Sequence, residues 1–321
     1  MGGRSWDPDD LDVLCAALSP DSRSLAMGRW AGGLGFWRGR VQLWDPIKGE
    51  QVVETPDLPG ELRVLVYSPD GRSFFACCDE LHKKGAAALW DAATGRRQRP
   101  LLRSLGQVIV RQAAFEPSGR VLLLACSDGR ARLWDTETDA EIDPGRPLGH
   151  PGAVVACAFD KEGRRVLTGC LDGAARLWDV QERRLLTEPL RHDAEVSSVA
   201  FHPDGHILLT ASLDGTARFW DAASGKPLGP PFGHAEGVRA VAFDRAGRRA
   251  ATGGKGGVVR QWRVPPPPVE GSPERIRLWV EVLTAMELDP QGTVRELTSD
   301  EVAARRRRLE ELGGPPRIPA D

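Results

Sequence analysis

No apolar run in the 321 residues approaches the roughly 18 that a membrane-crossing helix needs, so no membrane segment is predicted. Net charge is lacking too: 43 basic residues against 45 acidic ones leave −2, with a pI near 6.3. So even a balance gives no global attraction to nucleic acid or to an anionic membrane, and neither is expected as a partner. Residues 1–10 are acidic and Gly-rich rather than basic and then apolar, so no secretory signal is predicted. Lysine is scarce, and arginine is so common that no single arginine carries weight alone. Paired cysteine spacings are missing as well. Aligned on the tryptophans described next, Cys126 and Cys170 share a slot with Ser212 and Gly254, and Cys78 falls there once a longer hairpin is allowed for. Such a slot asks for a small side chain in a packed strand, and no His or carboxylate set joins it at metal-ligand spacing. The expectation is buried, reduced thiols in a cytoplasmic protein, with no metal and no cofactor.

What the sequence does have is a tryptophan at regular intervals. Leu43-Trp44-Asp45, Leu89-Trp90-Asp91, Leu133-Trp134-Asp135, Leu177-Trp178-Asp179 and Phe219-Trp220-Asp221 are followed by a worn copy, Gln261-Trp262-Arg263. Successive tryptophans are 46, 44, 44, 42 and 42 residues apart. A repeat of this length is one supersecondary unit that cannot bury its own apolar face, so stacked neighbours make the core.

Within the clearest copies, β-prone runs at 153–159, 195–201 and 237–243 each end at a polar turn such as His202-Pro203-Asp204-Gly205. A second run follows, then a tight turn, then the run into tryptophan. Short runs with turn chemistry between them predict antiparallel strands, three evident per repeat and a fourth in the variable stretch after Trp-Asp. Three residues recur at fixed offsets. His150, His192 and His234 lie 28 before a tryptophan; Thr168, Thr210 and Thr252 lie ten before; Asp172 and Asp214 lie six before. The third set has Gly256 where the aspartate belongs. The blade ending at Trp134 has Gly106 and Leu124 in the His and Thr slots, and the one ending at Trp90 has neither His nor Asp in register.

With these residues the chain resembles the WD40-repeat family over roughly residues 11–264. The resemblance implies an all-β fold, a β-propeller with six recognisable blades and a seventh absent or degenerate. In that family the His, Ser/Thr, Asp and Trp form a structural hydrogen-bonded relay. Carried over, the relay comprises His150, Thr168, Asp172 and Trp178; His192, Thr210, Asp214 and Trp220; and His234, Thr252 and Trp262. An active site would occur once rather than blade after blade, so no catalytic residue is assigned and the protein is expected not to be an enzyme. Residues 1–10, with Ser5-Trp6-Asp7, are a candidate ring-closing strand.

Residues 265–271 read as a Pro-rich linker, since Pro265 to Pro268 cannot form a paired central strand. Residues 272–321 then read as a separate helix–hairpin–helix tail. Ser272-Pro273 starts a helix whose apolar stripe is Ile276, Trp279, Val280 and Leu283. Asp289-Pro290-Gln291-Gly292 predicts a hairpin turn, and Thr298-Ser299-Asp300-Glu301 a capping box. The run Arg305 to Arg308 is balanced on paper by Glu301, Glu310 and Glu311 at i,i+4. The tail also resembles that of bacterial WD40-repeat proteins fused to serine/threonine kinases. The kinase motifs themselves are missing from this sequence.

In a propeller of this family, one face is made by the loops entering each blade and by the turns between second and third strands. Counting three and five residues past the histidine slot gives Glu61 and Arg63, Ile109 and Arg111, Ala153 and Val155, Glu195 and Ser197, and Gly237 and Arg239. The residue before the Asp slot adds Ser127, Leu171, Leu213 and Lys255. Two lengthened turns add the aromatics Trp30, Phe36 and Trp37 in a Gly-rich excursion, and Lys83-Lys84 in residues 79–85. The expected function is a non-catalytic protein-interaction scaffold whose face of Arg63, Arg111, Arg239, Lys255, Glu195, Trp30, Phe36 and Trp37 binds a protein or an acidic peptide segment. Glu61 and Glu195 on the same ring would repel phosphates. The alternative is a regulatory or sensing module working with a protein kinase in trans.

Overall fold

A computed structural model describes residues 13–31, 38–56, 58–79, 87–102, 105, 108–265, 272–288 and 294–315. The chain divides into two compact units, Met1–Val264 and Pro265–Asp321.

The described residues of the larger unit form six antiparallel sheets, the blades. Blade one pairs Val13–Leu18, Leu25–Ala31, Arg38–Asp45 and Glu50–Glu54 in chain order, and blade two pairs Glu61–Tyr67, Ser73–Asp79, Ala87–Asp91 and Arg97–Leu101. Blade three runs Val110–Phe115, Val121–Cys126, Arg130–Asp135 and Ala140–Glu141; blade four runs Val154–Phe159, Arg165–Cys170, Ala174–Asp179 and Arg184–Leu185. Blade five has Val196–Phe201, Ile207–Ser212, Thr216–Asp221 and Phe232–Gly233. Blade six has three described strands, Val238–Phe243, Arg249–Gly254 and Val259–Arg263.

The period of two in each third strand decides how the blades stack. In blade four, Trp178 turns to one side, and its cluster with Val154, Cys157 and Val166 packs on Leu123, Ala125, Ala131 and Leu133 of blade three. Ala175 and Leu177 turn to the other side, where with Leu167 they meet Trp220, Leu208 and Val199 of blade five. Blades two to five thus present tryptophan to their predecessor and leucine or phenylalanine to their successor. Trp44, Trp90, Trp134, Trp178 and Trp220 are buried, whereas Trp262 is half-buried.

Inner strands of consecutive blades pack from one to six, but no packing of that extent joins the described inner strands of blades six and one. The terminal blades show why. Gln261 stands where the other blades have leucine or phenylalanine, Val259 is 74% exposed, and Val13 and Leu18 on blade one are 44% and 52% exposed.

The smaller unit contains α1 (Pro273–Thr284), a hairpin of Met286–Leu288 with Val294–Glu296, and α2 (Ser299–Glu311). Ser272 caps the first helix and Thr298 with Glu301 forms a full capping box on the second. The buried face of α1 is not the predicted stripe. Leu278 and Glu281 are buried, while Val280 and Leu283 are exposed. On that face a tertiary ion pair, Arg305 Nε to Glu281 Oε2 at 2.7 Å, links α2 to α1. Arg305 also meets Glu287 at 3.0 Å, and Glu301 is bound by Arg295 at 3.0 Å. The basic run is thus partly balanced, through tertiary partners of Arg305 and the local i,i+3 pair Arg308–Glu311 rather than the expected i,i+4 pairs. Residues 1–10, Phe36, Trp37, Lys83, Lys84, Gly106, most of the linker and the 289–292 turn lie outside the described residues.

Candidate functional site

The relay comes first because it holds the loop face in place. In blade five His192 is buried, with Nδ1 3.1 Å from Asp214 Oδ2 and Nε2 2.7 Å from Thr210 Oγ1, which Trp220 Nε1 reaches at 2.8 Å. A carboxylate can only accept, so Nδ1–H donates to Asp214, the Thr210 hydroxyl donates to Nε2, and the indole N–H donates to Thr210. Every polar atom of the chain is satisfied by a neutral imidazole. Burial indeed holds the His192 pKa below its ordinary value, although Asp214 pulls the other way.

Blade four departs from the expectation. His150 Nε2 meets Thr168 at 2.7 Å and Trp178 donates to Thr168 at 3.0 Å, but Nδ1 donates to the Leu148 carbonyl at 2.9 Å. Asp172 is instead held by Arg176, Nη2 to Oδ2 at 2.6 Å. A guanidinium four residues on competes better for that carboxylate than a buried neutral ring. Burial, with the charge of Arg176 added, takes the His150 pKa down to about 4. Blade six keeps two of the three relay bonds, His234 to Thr252 at 2.6 Å and Trp262 to Thr252 at 2.8 Å. Blades one and two have Met27 and Ala76 at the threonine register, and the Nε1 groups of Trp44 and Trp90 are buried without a hydrogen-bond partner.

On the loop face, each inner strand carries a β-bulge, and the six bulged residues are Leu14, Arg63, Arg111, Val155, Ser197 and Arg239. A bulge re-aims one side chain out of the alternation of the sheet. This explains why Arg63, Arg111 and Arg239 are exposed immediately after the buried Leu62, Val110 and Val238. The structure also joins the two sets counted from sequence. The Ser127, Leu171, Leu213 and Lys255 amides donate to the carbonyls of Ile109, Ala153, Glu195 and Gly237 at 2.9, 3.0, 2.9 and 2.9 Å.

The charges are not equivalent. Arg63 pairs with Glu61 at 3.1 Å, whereas Arg111 and Arg239 have no carboxylate within ion-pair distance among the described residues. Arg63 and Arg111 lie on the packed inner strands of blades two and three, and Arg239 lies on that of blade six. Glu195 is half-buried beside them in blade five, and Lys255 is exposed in the blade-six turn. Trp30 is a strand residue paired with Gly39, not part of a loop; its strand continues to Ala31 and the next starts at Arg38 rather than Val41. Phe36 and Trp37 fall outside the described residues. Among the described residues the apolar component of the face is Leu171 and Leu213, 45% and 38% exposed in the equivalent turns of blades four and five. Their signal in the sequence was a leucine immediately before Asp-Gly, where a hydrophobic residue has no packing duty.

Burial pushes the thiol of Cys126 up to about 11 and that of Cys15 up to about 12. Neither is a nucleophile near neutral pH. Among the described residues no group of His, Cys, Asp and Glu is arranged to hold a metal ion.

A family model described as WD domain, G-beta repeat matches residues 100–135, 144–179, 184–221 and 225–263. The Protein LST8 homolog of Drosophila melanogaster is 27% identical over 134 residues, covering 40% of this chain and 39% of that protein. The WD repeat-containing protein 90 of Xenopus tropicalis is 28% identical over 131 residues, covering 40% of this chain and 7% of that protein. The chain therefore spans well under two thirds of these relatives. The first matched stretch begins within the outer strand of blade two and ends on Trp134-Asp135 of blade three.

Proposed function

Since this chain is a WD40-repeat protein, we propose that it works as a non-catalytic interaction scaffold, binding a protein or an acidic peptide segment through its loop face. The observation that carries this reading is the bulge register, which exposes Arg63, Arg111 and Arg239 at equivalent points of three blades. Lys255 adds charge in the turn above Arg239, and Leu171 and Leu213 supply apolar surface that a partner can desolvate. Arginine on a propeller's inner strands focuses positive potential locally although the chain as a whole is nearly neutral. Its proposed setting is the cytoplasm, which the buried thiols of Cys126 and Cys157 fit.

The test is a triple Arg63→Glu, Arg111→Glu, Arg239→Glu variant, checked for native melting and then used in pull-downs from lysate beside the parent protein. Loss of the main partners by about tenfold or more, near 1.4 kcal/mol, supports the loop face. Undiminished capture with little salt dependence would refute it. A protein kinase among the lost partners would favour a module that acts on phosphorylation in trans over a general scaffold.

A further inference from the structure

The first and second strands of each blade join through a polar turn, at the other end of the strands from the loop face. In blades four and five a side chain beside that turn crosses to the next blade. Arg165 is held by Asp160 of its own turn, Nε to Oδ2 at 2.8 Å, and donates through Nη2 to the Gly205 carbonyl of blade five at 2.9 Å. Its guanidinium carbon lies 5.6 Å from the centre of the Phe201 ring. One blade on, His202 Nε2 donates to the Gly247 carbonyl at 2.8 Å, with its ring perpendicular to Phe243 and 5.1 Å from it. A polar group of one blade thus fills a notch that the next blade builds from a glycine carbonyl and an aromatic ring.

Between blades two and three only one side of this arrangement is kept. Phe115 pairs with Leu122 as Phe201 does with Leu208, and Gly119 has φ +79° where Gly205 has +78°. But Ser73, opposite Asp91, stands where Arg165 stands opposite Asp179, and Ser68 stands where Asp160 does. Two serines in place of a paired arginine and aspartate leave a cleft of about 370 Å³. Asp70, Ser73 and Leu89 of blade two and Phe115, Pro117 and Gly119 of blade three are among its lining residues. Among the described residues nothing donates to the Gly119 carbonyl. Asp70 is the one charged side chain that lines the cleft. The Ser68 hydroxyl and the Arg72 amide hold its carboxyl below the ordinary value, so it is anionic at neutral pH. Arg72 and Arg120 flank the turns without lining the cleft, and Arg120 is taken by Asp135 at 3.0 Å.

We propose that this cleft binds an arginine side chain of a partner protein, which plays there the part that Arg165 plays between blades four and five. The guanidinium would donate to the Gly119 carbonyl and to Asp70 and lie against the Phe115 ring. A planar fork can stack and donate in its own plane at once, which a lysine ammonium cannot. This surface asks for a basic partner where the loop face asks for an acidic one, and neither depends on the other.

The test uses the full chain and a capped peptide, Gly-Ser-Arg-Ser-Gly, beside versions with lysine or citrulline for arginine, followed through backbone amide chemical shifts. The arginine peptide is expected to shift residues 68–73 and 115–120. The lysine and citrulline peptides, and an Asp70→Asn variant, should each weaken binding about fivefold or more. A Ser68→Asp, Ser73→Arg variant rebuilds the blade-four pair, so its own guanidinium should fill the cleft and abolish peptide binding without lowering the melting temperature. Ser73→Leu blocks the cleft without a charge should the double variant misfold. No binding, shifts elsewhere, equal binding of the citrulline peptide, or undiminished binding by natively melting Ser68→Asp, Ser73→Arg protein would overturn the proposal. Free arginine binding as tightly as the peptide would overturn the assignment to a protein segment.

Discussion

Thr168→Val removes one oxygen from the centre of the blade-four relay and changes little else. Thr168 is fully buried; its hydroxyl donates to His150 Nε2 at 2.7 Å and accepts from Trp178 Nε1 at 3.0 Å. Valine has nearly the same shape, so no cavity opens, and its extra methyl is favourable. What remains is a buried indole donor and a buried imidazole acceptor without partners. Each such orphan costs about 1–3 kcal/mol, so the expected loss is about 2–5 kcal/mol. Urea denaturation followed by tryptophan fluorescence measures it, with native-state amide exchange locating the loss in blade four, since repeat arrays need not unfold in one step. A loss below about 0.5 kcal/mol for Thr168→Val would refute the claim that the relay stabilises the blade.

Trp178→Ala should cost about 3–5 kcal/mol, and Trp262→Ala clearly less, because Trp262 is half-buried; equal shifts in chemical denaturation would argue against the stacking described. Stability should fall as pH drops from 6.5 to about 4. His150 titrates near 4 when folded and near 6.5 when unfolded, so the unfolded chain binds the extra proton in that window, by up to about 3 kcal/mol; melting curves at pH 7 and 4.5 test this, and a His150→Gln variant should lose part of the slope. In the tail, Glu281→Ala leaves Arg305 without its closest carboxylate, which should loosen α2 in amide exchange, whereas Arg306→Ala on the exposed face should change nothing measurable.

The blades were legible because one side chain with an indelible register, tryptophan, recurs six times, five of them before aspartate. The local chemistry of the turns then fixed strand ends to within a residue or so, as at Val154, Val196 and Val238. Less legible was anything decided by competition between partners. Spacing placed Asp172 and Asp214 identically, yet Arg176 takes the first while the second stays with His192; position 218 is also arginine but donates to the Arg191 carbonyl. The α1 stripe failed as well. Hydrophobicity named Ile276, Trp279, Val280 and Leu283, of which the first two are half-buried and the last two exposed, whereas Leu278 and the Arg305-paired carboxylate of Glu281 are buried. Charged residues in an interior are invisible to an apolar count.

The site residues show where the molecule concentrates its stability. Blades four and five hold the histidine–threonine–tryptophan chain with a carboxylate or carbonyl on the remaining ring nitrogen, and their bulge slots carry Val155 and Ser197. Blades two, three and six lack members of the relay, and their bulge slots carry Arg63, Arg111 and Arg239. A bulge places its residue outside the packed faces, so the residue there is free of the stacking constraint whichever blade it occupies. The arginines therefore cannot be explained as compensation for a weak relay: a charge exposed at 39% of its surface, as for Arg63, adds little to stability. Where packing does not dictate the residue and stability does not reward it, the proposed use of three guanidiniums at one register is contact with an acidic partner, which the triple Arg→Glu variant tests.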